Sequence, residues 1–152
     1  MTQKRKAASD FLKEYRIIKN QKRIIDEQMF SVSELYRELI NTSSFAYSKG
    51  KGSDKHFNSY KKSLEEKMDE LILRRNTLML RQRTIESVVR NLNKTEAAVI
   101  RGFYIDGDGK RAADMLMVEL EYEKSHIYRK KDRALDSISQ MIDASAFPKT
   151  LS

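Results

Sequence analysis

Cysteine and tryptophan are absent from the 152 residues, proline occurs once and glycine five times. Without cysteine there is no disulfide and no thiolate metal site, a composition suited to a reducing compartment. The single proline, Pro148, stands in the tail. So few backbone breakers between residues 8 and 145 predict long helices and few turns. No apolar run approaches the roughly 20 residues of a membrane span, and the basic start Met1 to Lys6 has no apolar stretch of the kind a signal peptide needs. The expectation is a cytoplasmic chain with no membrane partner.

What is present is charge. Charged residues make up 34% against 39% hydrophobic, with a mean hydropathy of −0.68 and a net charge of +8. That balance is too polar for an enzyme with a deep α/β core and suits amphipathic helices with much solvated surface. The positive excess points softly to a polyanionic partner.

Between Phe11 and Leu39 the inward positions are Phe11, Tyr15, Ile18, Lys22, Ile25, Met29, Val32, Tyr36 and Leu39. Steps of four and three alternate, which is the 3.5-residue period of a coiled coil. The small polar run Asn41 to Ser44, and Lys49 to Asp54 with its two glycines, read as loop, and His56 falls in the same connection. A second run places Phe57, Leu64, Leu71, Leu78, Ile85 and Leu92 seven apart, with Arg75 and Gln82 as polar exceptions. Two matched helices joined by a loop predict a long antiparallel helical hairpin. A hairpin alone buries little, so a homodimer is expected to complete the seam, with residues 1–92 as the dimerisation region.

Beyond Leu92 the elements shorten. Asn93 followed by Glu96 reads as a capping pair opening a helix through Ile105, closed by Asp106 to Gly109. A helix from Arg111 to Leu120, a break at Glu121 to Glu123 and a last helix from Lys124 to Ala144 follow, with a frayed tail over 146–152.

Taken together, Leu92, Glu96, Val99-Ile100 and Phe103-Tyr104-Ile105-Asp106-Gly107, then Leu116, Leu120, Tyr122 and Ile127-Tyr128-Arg129, then Arg133-Ala134-Leu135, resemble a helix-turn-helix of the sigma-factor region-four kind. The likeness is to small phage-encoded transcriptional regulators of the ArpU and RinA type. Glu121 and Glu123 stand where that family usually has a glycine and a serine cap. The resemblance implies an all-α fold whose C-terminal segment, 93–145, binds double-stranded DNA in a bacterial host cell. It also implies late-gene regulation, with RNA polymerase as a further partner.

The last helix can be read without the resemblance. With Ile127 facing the core on a 100° wheel, Ala134, Leu135, Ile138 and the stem of Lys131 share its side. Ser125, His126, Arg129, Asp132 and Arg133 fall on the opposite arc, with Tyr128 and Lys130 at the margins. Residues 124–133 hold five Lys or Arg against one Asp, although 94–152 as a whole balances ten basic against ten acidic residues. The expected DNA-contacting set is Lys124, Ser125, His126, Tyr128, Arg129, Lys130 and Arg133. Arginine forks onto guanine edges, Ser and His donate to base edges or phosphates, and Lys and Tyr fix the backbone register. Arg74, Arg75, Arg81, Arg83 and the Lys4-Arg5-Lys6 arm are further candidates for phosphate contact.

No carboxylate pair, nucleophile with a base or phosphate-cradling loop is evident, so neither enzymatic activity nor a cofactor or metal is expected. Two rival readings share the pattern. One is a phage terminase small subunit, which also joins a helix-turn-helix to a helical oligomerisation region. The other is a helical protein-binding adaptor.

Overall fold

The computed structural model describes residues 1–48, 54–107, 109 and 111–144. Among them every regular element is helical: α1 (Gln3–Ser48), α2 (Asp54–Arg90), α3 (Lys94–Ile100), a π-helical turn (Arg101–Ile105), α4 (Ala112–Leu120) and α5 (Lys124–Ala144). The all-α expectation holds. No helix among the described residues is long and apolar enough to cross a membrane.

Several boundaries differ from the sequence reading. The helix that carries the Phe11 to Leu39 run spans Gln3–Ser48, so Asn41 to Ser44, expected as loop, continue it. Side-chain competition for backbone bonds at four consecutive small polar residues does not outweigh an already propagating helix, because extension fixes one residue per bond gained. His56 lies in the first turn of α2, not in a loop. Lys49 to Ser53 of the expected loop, Asp108, and the tail 146–152 lie outside the described residues.

The contacts divide the chain into two compact units, one of Asn20–Met79 and one of Met1–Lys19 with Leu80–Ser152. In the first, the 3.5-residue period decides which side chains are covered. Ile25, Leu64 and Leu71 are buried, and Lys22, Met29, Val32, Tyr36 and Met68 are half-buried. Arg75 donates through Nε to Asp26 at 2.7 Å, and the Tyr36 hydroxyl donates to Glu65 at 3.2 Å. The polar exception Arg75 is thereby explained, since a long stem covers apolar surface while its head finds a carboxylate.

The other unit holds the larger core. Phe11, Leu12 and Ile18 of α1 and Ile85 and Val89 of α2 are buried, as are Val99, Ile100, Leu116, Ile127, Leu135 and Ile138 further along. Among the described residues its one deeply buried ion pair joins the Arg81 Nε to Glu14 at 2.8 Å, with the Arg81 guanidinium 4.9 Å from the Phe11 ring centre. Tyr15 donates to Glu86 at 3.0 Å. Burial, and then that bond, push the Tyr15 hydroxyl above its ordinary pKa.

Candidate nucleic-acid interface

Asn93 opens α3 as its composition predicts. In extended backbone (φ −65°, ψ 164°), its Oδ1 accepts from the Glu96 N–H at 2.8 Å, satisfying a donor the helix leaves unpaired. The helix expected to run on to Ile105 instead changes pitch at Arg101, and the Asp106 N–H donates to the Arg101 carbonyl at 2.8 Å, five residues back. Two consecutive aromatic residues of this turn, Phe103 and Tyr104, are both buried.

Each of those rings has a task. The Tyr104 hydroxyl meets Ser9 Oγ of α1 at 2.9 Å in a buried contact, and burial pushes its pKa above the ordinary tyrosine value. Phe103 packs at 51° against Tyr128 of α5, ring centres 5.7 Å apart. Lys131 extends over the Phe103 ring at 4.6 Å, with Tyr128 at 5.7 Å and Tyr104 at 5.8 Å. Desolvation there lowers the lysine's pKa. Gly102 keeps the turn close to α4, because a Cβ on it would stand 2.9 Å from Leu116 Cδ1.

α4 ends at Glu121, whose backbone is left-handed (φ 57°, ψ 37°), and the Glu123 carbonyl accepts from the Ile127 N–H at 3.1 Å to start α5. The break at Glu121–Glu123 and the span of α5 agree with the sequence reading. So does the wheel: Ile127, Ala134, Leu135 and Ile138 are fully covered. Burial of each large aliphatic side chain contributes on the order of 1.5–3 kcal/mol, enough to fix the helix's rotation about its axis.

With that rotation fixed, the expected contact residues separate. Lys124, Ser125, Arg129 and Arg133 are exposed. Among the described residues neither arginine is held by an ion pair or hydrogen bond. Tyr128 is 42% exposed, one face against Phe103. Lys130 is half-buried, and His126 is half-buried edge-on to Tyr122, ring centres 4.4 Å apart. Asp132, read from the wheel as outward, is instead half-buried and 3.6 Å from Arg5 of α1. Arg5 also grips Asp136 with two bonds of 2.8 and 2.9 Å, which hold that carboxyl below the usual carboxylate range.

Arg5, Arg75 and Arg81, counted from sequence as phosphate candidates, are thus engaged within the chain, whereas Lys4, Lys6, Arg74 and Arg83 are exposed. The docking of α1 on α5 was missed from sequence, because partners 131 positions apart leave no local pattern. Among the described residues no group of three or more His, Asp or Glu side chains is placed to hold a metal ion. The chain matches no protein-family model, no curated protein and no solved structure.

Proposed function

We propose that this chain is a sequence-specific transcriptional regulator of phage or prophage type that binds double-stranded DNA through a helix-turn-helix made of α4, the Glu121–Glu123 turn and α5. The observation that carries the reading is the division of α5. Ile127, Ala134, Leu135 and Ile138 anchor one side. Ser125, Arg129 and Arg133 stand exposed on the other, and neither arginine is held by an ion pair or hydrogen bond among the described residues.

A helix that reads a major groove needs this arrangement. Its orientation is set by apolar packing, and its outward arc carries unpaired fork donors for guanine O6 and N7. Tyr128, Lys124 and Lys130 border the arc and suit phosphate contact. His126, turned toward Tyr122, is the weakest member of the set.

Two further parts belong to the same proposal. Residues 1–92 form an antiparallel helical hairpin that pairs with a second copy, a reading supported by the pairings of residue 26 with 75 and 36 with 65, which step in opposite directions. It is also supported by Phe30 and Leu73, both about two-thirds exposed. RNA polymerase is the proposed further partner, on the strength of the sigma-like resemblance.

Selection from a pool of random duplexes tests the function. The expected result is one enriched motif, with two half-sites if the binder is a symmetric dimer. Failure to retain any duplex at low salt, where phosphate contacts are strongest, would remove DNA binding and leave the adaptor reading.

A further inference from the structure

One row of side chains along α1 changes partners partway. Arg5, Ser9, Lys13 and Arg16 follow each other at steps of four, four and three, so they line one side of the helix. The first two are committed to the chain's interior: Arg5 holds Asp136 and approaches Asp132, and Ser9 holds the Tyr104 hydroxyl. The next two, Lys13 and Arg16, are exposed and carry no ion pair or hydrogen bond among the described residues. Lys13 follows Ser9 by one turn, and Lys131 extends over the ring of the Tyr104 that Ser9 holds; burial first, with a smaller part from the Lys13 charge, lowers the Lys131 pKa.

The fold therefore brings cations from two distant stretches of sequence together beside the aromatic platform under α5. Of the nearby acids, Asp132 acts on Lys131, while Lys13 and Arg16 hold no ion pair among the described residues. Asp136 and Asp132 are engaged by Arg5. Asp10 is exposed one turn before Lys13 and acts on Tyr104. Clustered cations that hold no ion pair are costly unless an external anion meets them, and a polyphosphate backbone is the ligand that gains most from such a row.

We propose that Lys13 and Arg16 of α1, with Lys131 and the exposed edge of Tyr128, form a phosphate clamp that grips the backbone of duplex DNA alongside the segment read by α5. The inference rests on the reading of α5 as the DNA-contacting helix, and gives the N-terminal helix a direct part in binding. The two bonds from Arg5 to Asp136 tie the start of this row to α5.

The test is the salt dependence of binding, followed by fluorescence anisotropy on a labelled mixed-sequence duplex between about 50 and 200 mM salt. Each phosphate contact contributes about 0.9 to the slope of log affinity against log salt, so Lys13→Gln with Arg16→Gln should flatten it by about two. Lys13→Arg with Arg16→Lys should restore the slope, and circular dichroism and melting temperature should match the parent's throughout. Lys62→Gln with Lys67→Gln, which removes the same charge from exposed lysines elsewhere on α2, should leave the slope unchanged. A parent-like slope in the Lys13/Arg16 variant, or an equal flattening in the Lys62/Lys67 control, would overturn the clamp while DNA binding by α5 stands. A parent chain that binds no duplex at about 50 mM salt would instead overturn the reading of α5, and the clamp with it.

Discussion

Glu121 is the one non-glycine residue with positive φ among the described residues, and it sits at the bend between α4 and α5. A Cβ in the left-handed region costs roughly 1–2 kcal/mol, which glycine avoids. Glu121→Gly is accordingly expected to raise stability by up to about 1 kcal/mol after glycine's greater unfolded-state freedom is counted, read as a higher urea midpoint. A lower midpoint would mean that the Glu121 side chain contributes more than its backbone strain costs. Gly102 is the converse case. A methyl there enters the space of Leu116, which is buried, and Gly102→Ala should destabilise by about 1–3 kcal/mol through overpacking, despite alanine's better helix propensity. Residue-scale features were partly legible in the sequence. Asn93 three before Glu96 announced its cap because capping is local chemistry. The break at Glu121 was legible, but its left-handed backbone was not to be read from the residue itself, since a glutamate argues against that conformation.

Elements in this chain are tied by two kinds of polar contact, and these should respond differently to perturbation. The Arg81–Glu14 pair lies between α1 and α2 where both side chains are nearly covered. Glu14→Gln, which leaves the arginine charge buried without its carboxylate, should cost about 3 kcal/mol or more of unfolding free energy. The Arg5–Asp136 pair is half-exposed and acts through pH. Because the folded carboxyl is held below its unfolded value of about 3.9, the contact stabilises fully above that pH and is lost as pH falls through the lower folded value. The difference in melting temperature between parent and Asp136→Asn should stay constant from neutrality to about pH 5 and shrink below pH 4. A constant difference down to pH 2 would place the stabilisation elsewhere. At this scale the span and buried side of α5 could be read from its 3.6-residue period, and the covered positions of α1 and α2 from a 3.5-residue one. The π-helical turn could not, because Phe103 and Tyr104 in sequence fit an α-helix as readily. Nor could the docking of α1 on α5, which rests on long-range partners.

For the whole molecule, the proposal joins a helical dimerisation region to a DNA-reading helix. The dimer predicts a mass in solution near twice 17.8 kDa by light scattering. A larger ring-like assembly would favour the terminase reading. The net charge of +8 carries little of the functional argument, since the segment from residue 94 onward is balanced. What matters is where charge is left unpaired, and that requires the fold. The most direct measurement is the affinity of Arg129→Ala for the duplex enriched by selection, taken beside the parent's at one salt concentration and with helix content checked by circular dichroism. The account predicts binding weaker by about 1–3 kcal/mol with helix content unchanged. Equal affinity of the two proteins would contradict α5 as the helix that reads DNA.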